Sequence, residues 1–279
     1  GVHFFADDAP DAVARRALRV NLSDLAAKGA APAGFLLALA LPDDGDDAWL
    51  KGFAAGLGAD AEAYGCPLLG GDTVKTPGPL MVSVTALGFV PKGKMVQRRG
   101  AKLSDSIIVT GTIGDAALGL VLRRDIEDAA RRWKLDEAMR AHLLDRYLLP
   151  QPRNVLATLM QTHASAAMDV SDGLAGDLAK LCRASRVSAE IDVTRVPLSN
   201  AARAALDADP ALVETVLAGG DDYEIVCTVP RVQSDAFLAG AKALGVQATA
   251  IGRIEAGEGT RFLRDGEPLS LGKTSFSHF

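Results

Sequence analysis

At 279 residues the chain can bury a full core as one large domain or two ordinary ones, and 48% hydrophobic with 23% charged residues is ordinary soluble-globular composition. A net charge of −5, with no basic run and no aromatics interleaved with Lys or Arg, argues against nucleic acid as a partner. No apolar stretch reaches the roughly 18 residues that a membrane span needs, and the longest, 34–41, is strand-sized.

In chain order, residues 11–30 read as a helix, with apolar positions at Val13, Ala17, Val20 and Leu25 and Gly29 near its end. A buried strand follows at 35–41. A second helix, 46–64, is opened by Asp46-Asp47 and closed near Gly65. Gly70-Gly71-Asp72 reads as a turn before a strand at 80–90, which is rich in β-branched residues and closed by Pro91. Pro91-Lys-Gly-Lys94 is the best boundary, giving domains 1–91 and 92–279. Beyond it, a strand at 106–110 feeds Gly111-Thr-Ile-Gly114 and a helix at 115–124, and a charged helical stretch at 126–147 runs on to Pro150-Gln-Pro152. A strand at 165–170 enters Ser171-Asp172-Gly173 and a helix through Cys182. Strands at 187–193, 222–229 and 247–253 alternate with helices around 200–207 and 232–244. The pattern is α/β or α+β throughout, without repeats or low-complexity tracts.

Three Asp-bearing motifs carry the chemistry: Asn21-Leu-Ser-Asp24, Gly70-Gly-Asp-Thr73 and Asp169-Val-Ser-Asp-Gly173. Each sets a carboxylate beside Gly or Ser, where backbone can approach a ligand. Mg²⁺ is usually held by a few carboxylates plus substrate phosphates, and an acidic protein that binds a nucleotide must neutralise its charge. The expectation is a Mg²⁺-dependent, ATP-using enzyme without a P-loop. Asp169 to Gly173 sits at a strand-to-helix junction, where helix N–H groups and the dipole favour phosphate. Helix capping by Ser171 or Asp172 accounts for one polar residue there, but not for both acids and the glycine. The alternative for Gly70–Thr73 is a plain tight turn, and for Asn21–Asp24 a solvated helix face, although an acid at a helix end opposes the dipole. Gly219-Gly-Asp-Asp-Tyr-Glu224 reads as a second ligand-facing turn or as a solvated loop. Gly266 to Thr274 mimics a Walker A motif with one residue too many and no room for its helix. His142, His163 and His278 have neither zinc nor triad spacing. Cys66, Cys182 and Cys227 lie far apart, outside any CxxC, as expected of buried thiols in a reducing cytoplasm.

Taken together and in order, these motifs resemble those of the thiamine-monophosphate kinases, in the ATP-binding superfamily of aminoimidazole ribonucleotide synthetase and selenide, water dikinase. The resemblance runs through Gly1-Val-His-Phe4, residues 17–30, Gly70-Gly-Asp-Thr73, Gly88-Phe-Val-Pro-Lys-Gly93, Arg98-Arg-Gly-Ala101, Val109-Thr-Gly111 and Pro150-Gln-Pro-Arg153. It continues in Asp169-Val-Ser-Asp-Gly-Leu174, Gly219 to Glu224 and Ile251-Gly252, nearly the whole chain. It implies a two-domain fold, an N-terminal α/β domain that pairs in a homodimer followed by a C-terminal α/β domain, with ATP and several Mg²⁺ ions in the cleft between them. The implied reaction is transfer of the ATP γ-phosphoryl group to thiamine monophosphate. By the same resemblance Asp24, Asp72, Asp169 and Asp172 are Mg²⁺ ligands, and Gly71, Asp72, Arg98 and Ser171 contact ATP. His3, Asp221 and Phe276 contact substrate. Phosphoryl transfer is largely positioning and charge neutralisation, so no covalent nucleophile or general base is expected. The resemblance also implies a Gly-Asp-Asp loop and an Asp-Thr pair upstream of His3. The chain opens at Gly1 rather than Met, so a native segment carrying them is expected to precede it. The alternatives are another ATP chemistry on the same fold, a synthetase or dikinase, and a non-catalytic nucleotide-binding homologue.

Overall fold

The computed structural model describes residues 1–42, 46–272 and 275. The first unit comprises α1 (Pro10–Ala27), β1 (Ala31–Leu41), α2 (Asp47–Ala63), β2 (Leu68–Lys75) and β3 (Met81–Phe89). Pro10 in the first turn and Asp11 behind it suit a helix start, because proline lacks a donor and acids favour the dipole there. Val13, Leu18 and Leu22 of α1 pack with Phe53 and Leu57 of α2 over Phe35 and Leu39 of β1. The sheet order is β2-β1-β3, with β1 parallel to β2 and antiparallel to β3. Strand alternation sends Phe35, Leu39, Val82 and Val84 toward the helices. It leaves Leu36, Val74, Met81, Leu87 and Phe89 exposed on or around the other face.

Residues 90–105 then connect to β4 (Ser106–Thr110) without helix or strand. The second unit continues with α3 (Asp115–Arg124), α4 (Ile126–Arg132), α5 (Glu137–Leu148), α6 (Ala157–His163), β5 (Ala166–Asp169), α7 (Leu174–Ser185) and β6 (Ser188–Asp192). It is completed by α8 (Asn200–Ala208), α9 (Val213–Ala218), β7 (Ile225–Val229), α10 (Ser234–Ala243), β8 (Ala248–Glu255), β9 (Gly259–Arg264) and β10 (Glu267–Pro268). Its sheet runs β10-β9-β6-β8-β4-β7-β5, antiparallel except between β6 and β9. Alternation again divides the apolar residues: Ile107 and Val109 join the core under α3, α7 and α8, while Ile108 joins Met160, Phe237 and Cys227 on the other face.

α1 belongs to both units. Its Ala26 and Ala27 complete the second-face core of the larger sheet. Leu22 and Gly29 carbonyls accept from Asn154 Nδ2 (3.0 Å) and Gln161 Nε2 (2.6 Å). Arg19 pairs with Asp60 of α2 at 2.6 Å and donates to the Pro150 carbonyl at 3.2 Å.

Three expectations are corrected. Gly70-Gly71-Asp72 is no turn but the interior of β2. Gly71 is required there because a Cβ would stand 1.9 Å from the Leu37 carbonyl oxygen, and its φ is +152°. The charged stretch 126–147 is two helices: Lys134 takes φ 54°, Trp133 turns wholly into the core, and Asp136 restarts the helix by accepting from Met139 N at 2.8 Å. The strand expected from 222 begins only at Ile225. The β9–β10 hairpin has no counterpart in the sequence reading, although Asp265-Gly266, both at positive φ, is a dipeptide that tight hairpins favour.

Candidate active site

Three segments converge where α1 crosses the larger sheet. β5 ends in Asp169 and passes through Val170-Ser171-Asp172-Gly173 into α7. The 219–224 loop lies alongside, with Asp221 N and Tyr223 N donating to the Ser171 and Val170 carbonyls at 2.8 and 2.9 Å. Gly173 permits this closeness: its φ is +106°, and a Cβ would lie 2.6 Å from the backbone of Ala218. The last turns of α1 bring Asn21 and Asp24 to the same place, and Ser23 Oγ donates to the Tyr223 carbonyl at 3.2 Å.

The resulting cavity, about 520 Å³, is lined by His3, Asp24, Arg98, Asp169, Ser171, Asp172 and Asp221 among others. Arg98 reaches it on a strap whose Val96 N donates to Lys28 O (3.1 Å) and whose Gln97 O accepts from Ala167 N (3.0 Å). Asp72 and Gly71 are not in this lining. They stand on exposed β2, where Asp72 Oδ1 accepts from Thr73 N at 2.9 Å. Phe276 lies outside the described residues.

Burial, with Asp24 and Asp177 nearby, pushes the Asp169 carboxyl up to about 7. Burial lowers the Lys28 ammonium, with Arg98 adding to the effect, although Asp169 and Asp24 oppose it. Carboxylates crowded this way hold a proton in the absence of a cation and release it to one. The donor set is oxygen only, which fits Mg²⁺. Among the described residues no three acid, His or Cys side chains converge closely enough to hold a metal ion by themselves.

Three residues absent from the sequence reading organise the wall. Asp177, wholly buried in α7, accepts from Ser171 N and Asp172 N at 2.9 and 2.8 Å. It reaches back from the first turn to tie down the loop before α7, which has no side-chain cap of its own, so the capping considered for Ser171 or Asp172 is not made, and both residues line the cavity. Its signal was an acid in the first turn of α7. Lys180 bridges Asp172 and Asp177, at 2.8 Å from the latter. The third is Arg16, whose Nη2 lies 2.9 Å from Asp221 Oδ1.

The Gly219–Glu224 motif divides its acids among three tasks. Asp221 faces the cavity at φ 66°. Asp222 is buried and caps α3, accepting from Gly114 N at 2.9 Å, and burial holds its carboxyl well above the usual range. Glu224, fully buried, receives Arg146 Nη2, Arg153 Nε and Thr110 Oγ1, each at 2.7 Å. A second, more apolar cavity of about 700 Å³ adjoins the first. It is lined by Val13, Pro79, Leu80, Met81, Val82 and Val84, and it shares His3, Phe4, Arg16, Val20, Asn21 and Tyr223 with its neighbour.

Comparison with known proteins places this geometry. Residues 1–90 match the N-terminal domain of the AIR synthase related proteins, and residues 104–264 match their C-terminal domain. The thiamine-monophosphate kinase of Caulobacter vibrioides is 45% identical, over 100% of this chain and 77% of its own length. The crystal structure of thiamine-monophosphate kinase from Stenotrophomonas maltophilia is 39% identical, with a TM-score of 0.87, over 96% of this chain and 83% of that one. AaThiL complexed with AMPPCP and TMP is 33% identical, with a TM-score of 0.86, over 100% of this chain and 84% of that one.

Proposed function

Because this chain belongs to the AIR synthase related proteins and, among them, to the thiamine-monophosphate kinases, we infer that it phosphorylates thiamine monophosphate with ATP, the last step in making thiamine diphosphate. The observation that carries this reading is the pair of joined cavities. One is lined by acids and Arg98, and suits a metal-bound polyphosphate; the other is apolar, and suits the rings of thiamine. The acceptor phosphate oxygen forms its bond to the γ-phosphorus as the bond to the ADP oxygen breaks, so the chain needs to orient and neutralise rather than attack.

Asp24, Asp169 and Asp172 would hold Mg²⁺, with Asp72 as a further ligand, and the bound ions would neutralise charge on the phosphates. Arg98, Ser171 and Gly71 are assigned to ATP, and His3 and Asp221 to thiamine monophosphate; His3 lines both cavities and Asp221 lines the acidic one, which supports this. We place the domain boundary at 91/92, in the segment without helix or strand, which the end of the first family match at residue 90 supports. A homodimer through the β2-β1-β3 face is supported by exposed Leu36, Leu69, Val74, Leu87 and Phe89, a patch that water does not favour. Three buried free cysteines support cytoplasmic residence, and no helix among the described residues is long and apolar enough to cross a membrane.

The test incubates the protein with ATP, Mg²⁺ and thiamine monophosphate and separates products by chromatography. Equal amounts of thiamine diphosphate and ADP are expected. AMP with free phosphate would replace this reading by dikinase chemistry, and nucleotide binding without either product by a non-catalytic role.

A further inference from the structure

Arg16 lies at the seam between the two cavities and lines both. It is 8% exposed, on the face of α1 turned away from the solvent, with every arm of its guanidinium engaged. Nε donates to the His3 carbonyl at 3.1 Å, Nη1 donates to the Tyr147 carbonyl, and Nη2 pairs with Asp221 Oδ1 at 2.9 Å. The guanidinium also stacks 4.8 Å from the centre of the Tyr147 ring. These partners come from three separate segments: the irregular chain before α1, the end of α5, and the 219–224 loop.

The loop needs such a hold. Asp221 and Tyr223 both take positive φ, at 66° and 50°, a conformation that side-chain-bearing residues keep only when their surroundings enforce it. Backbone bonds to Ser171 and Val170 fix the main chain of the loop. The ion pair with Arg16 anchors the Asp221 carboxylate, whose side chain is 27% exposed and also hydrogen-bonds with the Tyr223 side chain. The same guanidinium fixes the backbone of His3. A planar fork with three donor directions can join three segments at once; a lysine ammonium is a single point charge on a flexible stem.

We propose that Arg16 is a positioning residue for the acceptor substrate: it holds Asp221 and His3 in register on the wall between the phosphate chamber and the apolar chamber. The inference rests on the reading of Asp221 and His3 as contacts to thiamine monophosphate. Arg16 acts through them, so its loss weakens the acceptor's binding and leaves the nucleotide's largely alone.

Steady-state kinetics of Arg16→Met and Arg16→Lys, with both substrates varied, test this. Arg16→Met is expected to raise KM for thiamine monophosphate about tenfold or more while KM for ATP stays within about twofold. Arg16→Lys, which keeps the charge opposite Asp221 but cannot hold all three partners, is expected to recover only part of the loss and to leave a rise in KM for thiamine monophosphate alone. Adding Arg16→Met to Asp221→Asn should raise KM by less than about twofold again, because the two act through one contact. Parallel rises in both KM values, or full additivity with Asp221→Asn, would overturn the proposal. Should Arg16→Met fail to fold, Arg16→Lys decides alone: a rise confined to thiamine monophosphate supports the role, and no rise or an equal rise for ATP refutes it. Asp221→Asn with an unchanged KM for thiamine monophosphate would instead remove the assignment of Asp221, and this inference with it.

Discussion

Glu224→Gln removes the single negative charge on which Arg146 and Arg153 converge. The Glu224 and Arg146 side chains are 0% and 9% exposed, and that of Arg153 is 22% exposed. The amide keeps the shape but offers one oxygen where the carboxylate offered two, and it turns an NH₂ toward guanidinium donors. Removing one partner of a buried ion pair costs about 3–5 kcal/mol, because the remaining charge stays out of water. Partial access of Arg153 to solvent places this case near the lower end, about 3 kcal/mol. At roughly 2–4 °C per kcal/mol for a chain of this class, the melting temperature should fall by about 6–12 °C. Differential scanning calorimetry, paired with urea unfolding followed by far-UV circular dichroism, measures both quantities. A loss below about 1 kcal/mol, the value of an exposed pair, would refute the view that Glu224 holds the sheet to the α5–α6 connection rather than contacting ligand.

Four further outcomes are expected. Asp172→Asn should lower turnover by about a hundredfold or more while shifting the urea midpoint little, since its pair with Lys180 is about one-third exposed; wild-type turnover would end its assignment as a metal ligand. Gly173→Ala should cost more than about 1 kcal/mol and displace the Ser171-Asp172 turn, because its φ is positive and a Cβ would meet the Ala218 backbone; an unchanged unfolding midpoint would contradict this. On the proposed homodimer, the wild type should sediment as a dimer and Phe89→Glu as a monomer in sedimentation velocity; a monomeric wild type would refute the dimer, and an unaltered dimeric coefficient would refute this face as its interface. The fourth concerns pH. The hydrogen bond to Asp115 raises the His142 imidazole above its usual range; burial raises Asp115, but bonds from His142, Ser199 and Thr112 outweigh it and hold the carboxyl low. The His142 contribution is complete below about 6.5 and lost as pH rises through its raised value, and the Asp115 contribution is lost as pH falls below about 4. With His142 42% exposed the effect stays under about 1 kcal/mol, and His142→Asn should flatten stability between pH 6 and 8; an unaltered slope there would exclude the pair as its source.

The sequence displays what depends on local pattern. The helix expected over 11–30, the strand feeding Gly111 and the Asp169–Gly173 junction all follow from periodicity and punctuation, and the structure has them, the helix as Pro10–Ala27. What depends on distant partners is invisible. Asp221, Asp222 and Glu224 look alike in sequence, yet one faces the cavity, one caps α3 and one balances two arginines 71 and 78 residues away. Gly70-Gly71 has the composition of a turn, but the close approach of Leu37 makes it a strand. Arg16 carries no motif at all: its importance arises from three carbonyl and carboxylate groups that only the folded chain assembles.

The double membership of α1 has a consequence for birth on the ribosome. Ala26 and Ala27 are made early, whereas the β7 residues they cover, Ile225 and Cys227, come some 200 residues later. At about 5–20 residues per second, roughly 10–40 s separate the two. Leu156, Met160 and Ala167 of the same cluster come earlier, but the strip stays incomplete until β7 emerges. The larger sheet therefore completes its second-face core on a helix made some 200 residues earlier.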